Sequence, residues 1–356
     1  MRKGHLAVLV LGALCGCHSA VPRQAAPLSR RLTAKDPRCY AALGSRGYRD
    51  QDQGTSLFGL QIRGQGGRSA SDAPSQDFRP RAADIFQHVQ RGGVILRDGE
   101  GHEVEVVQGR LLTRSESGEL RPPAEVVGAT LTGVAADGST VELVVCGVEP
   151  YPQAAGTLGY RVVYRSADSV GWESVCPGTV DRPSLLALPL AGTWDESGAH
   201  HESATAFTLA CVSTGVLAKC LEWGYRPWET QGAMSLAPYH QACSRMARAD
   251  YCGTGRSHTA RETRIDMYDA LGVQKKGEGE GEAPGRLSFE AAWLPDGARC
   301  LARTRFHEPL KAILDECPER FVEEQEDLGQ GDVCAIRRKA GSAPPAPAVE
   351  LRNRTY

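Results

Sequence analysis

The segment "APYHQACSRMARADYCGTGRSHT", residues 237–259, has the pattern of one amphipathic helix and the loop that follows it. Apolar residues recur in it at the i, i+3, i+4 and i+7 spacing of a helix face, and these are Tyr239, Ala242, Cys243 and Met246. Pro238 suits the first turn of a helix, and Gly253 is placed to end it. The segment therefore predicts a helix from about residue 237 to 252 that presents one face to a core.

The same segment holds the residue types of a catalytic site. Cys252 and His258 can act as nucleophile and base, with Asp250 orienting the histidine. A hydrolase would need four side chains to converge within about 3–4 Å in a cleft, namely Asp250, His258, Asp266 and Asp269. No oxyanion-hole or nucleophile-elbow signature accompanies them. We therefore favour a helix end, at which Asp250 hydrogen-bonds the following loop.

Zinc binding is a second alternative for this segment. His240 and Cys243 lie three residues apart on the same predicted helix face, and this H-x-x-C is the one close ligand pair that resembles a zinc motif. The stretch "HHE" at residues 200–202 lacks the second histidine of a helical H-E-x-x-H site and indicates a solvated loop. A zinc site would require free thiols. We predict no cofactor.

Residues 1–16 have the pattern of a secretory signal peptide. Two cations precede an apolar run from Leu6 to Leu14, far shorter than the roughly 20 residues of a membrane-spanning helix. The run ends in "LCGC", which resembles the bacterial lipobox with Cys17 as the lipidated residue; an ordinary secreted protein with two incidental cysteines is the alternative. His18, rather than Asp, indicates the outer membrane of a Gram-negative bacterium by analogy with other lipoproteins. We expect an exported protein held on the membrane by its N-terminal lipid.

Ten of the twelve cysteines remain once Cys15 is cleaved away and Cys17 is lipidated, and an even number in an exported chain predicts disulfides. The candidates are Cys39, Cys146, Cys176, Cys211, Cys220, Cys243, Cys252, Cys300, Cys317 and Cys334.

Two pairing expectations follow from the positions of these cysteines. Cys146 ends one predicted strand and Cys176 follows another, so we expect these two to pair. Cys243 and Cys252 should not pair, because nine residues of one helix span about 13 Å, beyond the roughly 7 Å limit between bridged α-carbons. Each should reach another element instead. The nearest candidates in the sequence are Cys211 and Cys220.

Composition divides the mature chain into four segments. Residues 17–84 are polar and Gly/Pro-rich and predict a flexible tether, in which the surroundings of Cys39 and "TSLFGLQIRG" can dock on the body. Residues 85–180 alternate apolar and polar residues around Asp-Gly turns, which predicts a small antiparallel β barrel or sandwich. Residues 181–335 mix predicted strands and helices into a disulfide-rich α+β domain. The Pro-Ala-rich residues 336–356 predict a disordered tail. The expected fold class is thus α+β.

Charge and aromatic content say little about partners. A net charge of −2 over 356 residues predicts no nucleic-acid partner. Three aromatic residues close together, Trp223, Tyr225 and Trp228, form either a ligand-stacking platform or, as is more common beside cysteines, part of the core.

Four ordered blocks of the sequence carry a family resemblance, and they are "AKCLEWGYRPW", "YHQACSRMARADYCGTGRSHT", "IDMYDALGVQ" and "FEAAWLPDGARCLARTR". Over about residues 190–335 the chain resembles the exported, largely myxobacterial proteins named for the ADYC tetrapeptide, here residues 249–252. The family has no assigned activity, so the resemblance implies no catalytic residues. It implies an envelope lipoprotein with one compact C-terminal unit. We expect a binding or interaction module whose protein or small-molecule partner is open, with an exported hydrolase or a zinc-binding protein as alternatives.

Overall fold

The computed structural model describes fourteen ranges of the chain, which are 32–33, 36–39, 103–114, 117–121, 123–134, 140–165, 171–176, 186–195, 197–203, 207–212, 215–259, 263–277, 287–339 and 349–356. The predicted signal peptide, Cys17 and the stretch "TSLFGLQIRG" lie outside the described residues, as does the Asp-Gly pair at residues 98–99.

Short strands dominate the first half of the described chain. They are β1 (Leu32–Thr33), β2 (Glu103–Val107), β3 (Arg110–Arg114), β4 (Leu120–Arg121), β5 (Thr130–Val134), β6 (Thr140–Pro150), β7 (Leu158–Arg165), β8 (Glu173–Ser174), β9 (Leu186–Ala191), β10 (Thr193–Trp194), β11 (His200–His201) and β12 (Phe207–Cys211). A 3₁₀ turn at Pro123–Val126 lies between β4 and β5.

The second half adds three α-helices to the strands. The helices are α1 (Val216–Glu222), α2 (Ala237–Arg248) and α3 (Leu310–Glu316), with a 3₁₀ turn at Arg305–His307. The strands are β13 (Thr230–Gln231), β14 (Met234–Ser235), β15 (Asp266–Asp269), β16 (Ser288–Leu294), β17 (Gly297–Leu301), β18 (Phe321–Val322), β19 (Glu326–Asp327), β20 (Val333–Cys334), β21 (Ile336–Arg338) and β22 (Leu351–Thr355). Within the described ranges, no helix is long and apolar enough to cross a membrane.

A seven-stranded antiparallel sheet forms the N-terminal body. Its order is β1-β6-β7-β9-β12, with β5 also on β6 and β8 also on β7. A three-stranded sheet, β2-β3-β4, shares an apolar core with it, in which Val104 and Leu111 meet Leu143, Val145 and other buried residues. The two sheets resemble a small sandwich. The expected α+β class is confirmed. Strands β5 and β6 pair antiparallel on either side of the Asp-Gly pair at residues 137–138, which itself lies outside the described residues.

The domain boundary that the composition suggested at residue 180 is wrong. Strands β9 and β12 pair with each other, and β9 pairs with β7, so the sheet continues to Cys211. The disulfide between Cys176 and Cys211 also crosses the expected boundary. Composition changes near residue 180, but β9 supplies hydrogen-bond partners for the edge of β7, and the sheet does not end there.

A six-stranded sheet forms the second body, in the order β15-β22-β16-β17-β21-β18. The expectation of a disordered tail over residues 336–356 is wrong near both of its ends. Residues 336–338 form β21, which pairs with β17 and β18, and strand β22 lies between β15 and β16. Leu351, Asn353 and Thr355 are buried, and the arginines between them are less buried. This alternation is the signature of a strand. The preceding Pro-Ala run conceals it when composition is averaged over the whole tail.

Helix α2 packs on the six-stranded sheet as its apolar face predicted. Tyr239, Ala242, Cys243 and Met246 are all buried in the core that the helix shares with Trp293 and the sheet. The helix ends at Arg248 rather than near residue 252, because Ala249 adopts a left-handed conformation, with φ 51° and ψ 42°. The terminating residue is therefore not the predicted Gly253.

Five disulfides join all ten candidate cysteines, and the pairs are Cys39–Cys146, Cys176–Cys211, Cys220–Cys243, Cys252–Cys317 and Cys300–Cys334. The expected pairing of Cys146 with Cys176 is wrong. Instead, the segment around Cys39 docks on the body, as β1 pairs with β6 and the guanidinium of Arg38 lies over the Trp172 ring. Cys243 and Cys252 do not pair with each other, as predicted. Cys243 reaches one of its expected candidates, whereas Cys252 reaches Cys317 at the end of α3.

Candidate functional site

Asp250 organises the turn that follows α2. Its buried carboxylate accepts hydrogen bonds from Arg245 Nη1 at 2.5 Å and from the backbone amides of Thr254 and Gly255 at 3.0 Å each. It is 1% exposed, so the ion pair with Arg245 supplies the counter-charge that burial requires. The prediction that Asp250 hydrogen-bonds its loop is confirmed.

Tyr251 belongs to a buried network centred on Glu290 and Arg305. Its hydroxyl donates to Glu290 Oε1 at 3.0 Å and accepts from the Arg305 backbone amide at 2.7 Å. The guanidinium of Arg305 makes two hydrogen bonds to Glu290, at 3.0 and 3.1 Å, and Asn353 and Thr355 donate to the same carboxylate. Burial raises the pKa of Tyr251 well above its ordinary value. The tyrosine is therefore a neutral connector in this network.

Cys252 and His258 do not form a nucleophile and base. The sulfur of Cys252 is bonded to Cys317. The buried imidazole of His258 lies between two carboxylates, with Nδ1 2.9 Å from Glu308 Oε2 and Nε2 3.2 Å from Glu316 Oε2. Burial opposes a charge on the ring, but the neighbouring carboxylates of Glu316 and Glu308 outweigh it and raise the pKa of His258.

Asp266 and Asp269 stabilise strand β15 and the turn after it. Asp266 accepts hydrogen bonds from Arg354 Nε at 2.7 Å and from the Gly277 amide at 3.1 Å. Asp269 accepts from Tyr225 Oη at 2.7 Å and from backbone amides of its own turn. Both carboxylates are thus tied to backbone or to neighbouring strands.

The residues of the hydrolase hypothesis are not brought together. These residues are Asp250, His258, Asp266 and Asp269. Within the described ranges, no hydrogen bond joins any two of them. They hold separate turns and strands. A hydrolase site at these residues has no geometric support.

The zinc hypothesis fails at its cysteine. Cys243 is bonded to Cys220, and His240 Nε2 lies 3.1 Å from the carbonyl oxygen of Leu217. In the part of the chain that the structure describes, no three His, Cys, Asp or Glu side chains are grouped in a way that could hold a metal ion.

A cavity of about 480 Å³ lies between the β2–β3 turn, strands β10 and β11, and the start of α2. We call it the aromatic cavity and define it by six of its lining residues, which are Trp194, His200, Glu202, Trp228, His240 and Gln241. Its lining combines surfaces from the N-terminal sheets with surfaces from helix α2.

Hydrogen bonds and close packing fix the two indole rings of the aromatic cavity. Trp194 Nε1 donates to Gln241 Oε1 at 2.7 Å, and Gln241 Nε2 donates to the carbonyl oxygens of Gly198 and Pro295. Trp228 lies against Gly109, where an added Cβ would lie 2.5 Å from the indole. Only glycine leaves room for the ring at that turn, so the indole of Trp228 packs directly against the backbone there.

Both histidines of the aromatic cavity are neutral at pH 7. Burial lowers the pKa of His240 to about 4. Burial also lowers the pKa of His200, whose ring lies 4.5 Å from that of Trp194, measured between centroids. Each Nε2 lies 3.1 Å from a backbone carbonyl oxygen, of Ala191 for His200 and of Leu217 for His240. A carbonyl only accepts, so each Nε2 carries the hydrogen.

The sequence reading found only part of this cavity. Of the three aromatic residues weighed as a ligand platform, Trp228 lines the cavity, whereas Tyr225 is buried in the core. The "HHE" stretch is predicted to be a solvated loop. His201 is exposed, but His200 lines the cavity. Gly109, which leaves room for the Trp228 ring, is the one sequence feature that could have indicated the cavity. The sequence alone does not show that the two residues are in contact, because they are far apart in the chain.

The comparison with protein families decides the identity of the chain. The model of the ADYC domain matches residues 123–307, just over half of the chain. The chain belongs to the ADYC domain family. The ADYC domain begins well before residue 190, and so it includes β5 to β9 and β12 of the seven-stranded sheet as well as α2. No curated protein and no solved structure matches the sequence.

The buried ion pair of the ADYC domain should be costly to break. We expect Glu290→Gln to lower the free energy of unfolding by about 3–5 kcal/mol, because it leaves the Arg305 charge buried without its partner. Urea denaturation with the disulfides intact measures the loss. The matched control is Glu324→Gln, which removes a carboxylate that is 54% exposed in its pair with Arg337 and should cost less than about 1 kcal/mol. Equal losses would contradict the central role of Glu290.

The contribution of His258 to stability should depend on pH. Since its folded pKa is raised, its stabilisation is fully present below the ordinary value of 6.5 and is lost as pH rises through the folded pKa. The groups facing the ring are Glu308, Glu316 and, through its pair with Glu316, Arg256.

Melting temperatures measured at a series of pH values test this dependence. The difference between the wild type and His258→Gln should shrink as pH rises above about 6.5. His201→Gln is the control, because that ring is 57% exposed and the substitution should change the melting temperature little. A difference that grows with rising pH would contradict the assignment.

Proposed function

We propose that this protein is an exported, lipid-anchored binding module of the cell envelope, and that its ligand is a small molecule held in the aromatic cavity. The observation that carries the proposal is the cavity itself. It combines a volume of about 480 Å³ with two fixed indole rings and a few polar groups. Apolar walls with a small number of placed polar groups are typical of small-molecule sites.

Rigidity of the cavity walls supports binding in preference to a structural void. Trp194 and Gln241 fix each other, and Gln241 also bonds the carbonyl of Pro295 in the β16–β17 turn. A wall that is already ordered loses little conformational entropy when a ligand binds. The cavity is therefore preorganised.

Export is supported by the five disulfides, because such bridges persist in oxidising compartments. The lipid anchor is supported by the lipobox-like residues that end at Cys17. Strand β1 and the Cys39–Cys146 bridge attach the chain to its body soon afterwards. Even fully extended, residues 18–31 could span no more than about 50 Å. An anchor at Cys17 would thus keep strand β1 within about 50 Å of the membrane surface, which we propose to be that of the outer membrane.

Filling the aromatic cavity should abolish ligand binding. Ala237 lines the cavity at the start of α2, so Ala237→Phe places a ring in the space. Fragment-sized compounds that stabilise the wild type in thermal-shift assays should bind this variant at least about tenfold more weakly by isothermal titration calorimetry.

The matched control for the filled cavity is Ala233→Phe, which adds the same ring at an exposed turn outside the lining. It should bind the compounds like the wild type. A cooperative melt of both variants verifies folding. Compounds that bind both variants equally, or the absence of any compound that stabilises the wild type, would refute the proposed cavity function.

Membrane attachment should depend on Cys17 alone. In cells that export the full chain, the Cys17→Ser variant should appear in the soluble fraction rather than the membrane fraction. The variant lacks the sulfur that would carry the lipid. Cys15→Ser removes the neighbouring cysteine and should leave the protein in the outer-membrane fraction of a density gradient. Retention of Cys17→Ser in membranes would refute the anchor.

A further inference from the structure

The lining of the aromatic cavity also indicates the chemical class of its ligand. We infer that the cavity takes an organic cation with N–H donors, such as a primary or secondary ammonium group attached to an apolar body. This inference rests on the proposed binding function and specifies its substrate class. Three properties of the lining carry it, namely its charge, its hydrogen-bonding groups and its ring faces.

The charge of the lining favours a cation over an anion. Among the described residues that line the cavity, Glu202 is the one carboxylate, and none is a lysine or an arginine. The two imidazoles add no positive charge, because burial lowers the pKa of both. An anion would leave water for a site that holds a like charge and no counter-charge. A cation would meet the Glu202 carboxylate.

The hydrogen-bonding groups of the lining favour a ligand that donates. Trp194 Nε1 already donates to Gln241, whose amide donates in turn to two carbonyl oxygens. Nε2 of His200 and of His240 each donate to a backbone carbonyl. In a neutral imidazole the other nitrogen carries no hydrogen and only accepts. The donor atoms of these four side chains are therefore already used in hydrogen bonds, whereas each imidazole keeps one nitrogen that can accept.

The aromatic rings complete the complementarity. A cation within about 6 Å of an indole face is attracted by the ring quadrupole, and tryptophan is the best of the side chains for this contact. Trp194 and Trp228 both line the cavity and both are held in place. A sugar would stack on the same rings. Its hydroxyl groups could donate to the same acceptors, but it carries no charge to pair with the Glu202 carboxylate.

Three probes with the same carbon framework isolate the charge of the ligand. Phenethylammonium, 2-phenylethanol and phenylacetate are titrated at pH 7 into the full exported chain with its disulfides intact, and methyl glucoside represents a neutral polyol. Affinity is measured by calorimetry and by quenching of tryptophan fluorescence. We expect phenethylammonium to bind about tenfold or more tightly than 2-phenylethanol, and phenylacetate and the glucoside to bind more weakly still.

A charge-removing variant tests where the cation sits. Glu202→Gln keeps the shape of the side chain and should weaken phenethylammonium binding about three- to tenfold, with little change for 2-phenylethanol. Glu323→Gln is the matched control, because it removes the same charge from an exposed position outside the lining and should leave all affinities unchanged. Glu202 is itself exposed, which makes the substitution compatible with folding.

The outcomes separate this inference from the proposed function. If the alcohol, the carboxylate or the glucoside binds as tightly as the ammonium compound, or if the ammonium compound does not bind, the cation inference is overturned. It is also overturned if Glu202→Gln and Glu323→Gln behave alike. The proposed function still stands in each case as long as other fragments bind the wild type and are lost in Ala237→Phe. It fails only when no compound depends on that position.

Discussion

The buried ion pair between Glu290 and Arg305 is the constraint on which the C-terminal half of the molecule depends. Both side chains are almost fully buried, and burial of two charges is unfavourable unless each is paired and its remaining hydrogen-bonding capacity is used. Tyr251, Asn353 and Thr355 supply that capacity. Arg305 also donates to carbonyl oxygens of the last turn of α2. The pair therefore fixes the helix end, strand β16 and the C-terminal strand β22 relative to one another.

The turn after α2 is also fixed by a buried ion pair. The N-terminal end of the same helix forms part of the cavity wall. Asp250 pairs with Arg245, and Cys252 is bonded to α3, so the residues that resemble a catalytic set hold the turn in place. At the start of the helix, His240 and Gln241 line the aromatic cavity. Cys243 ties the helix to α1. One helix thus carries a structural network at its C-terminal end and the proposed ligand site at its N-terminal end.

The proposed ligand site needs no convergent catalytic residues. Its described polar lining includes two neutral imidazoles, the hydrogen-bonded amide of Gln241 and one carboxylate, which suit the proposed recognition of a cation. The ADYC domain match covers α2 and all strands of the seven-stranded sheet except β1. Most of the cavity lining, from Ala191 to Gln241, lies within the matched residues, whereas the β2–β3 turn that holds Trp228 lies before them.

Local patterns in the sequence were enough to predict helix α2 and the disulfide bonding of the ten cysteines. The i, i+4 spacing from Tyr239 to Met246 predicted α2, and the length of a helix excluded a bond between Cys243 and Cys252. Tertiary structure alone decided which distant groups meet. Cys39 rather than Cys176 reaches Cys146, the tail strand β22 enters a sheet, and Gly109 makes room for Trp228. The reason is physical: periodicity reports which face of a segment is buried, but the partner on that face depends on contacts between residues far apart in the chain.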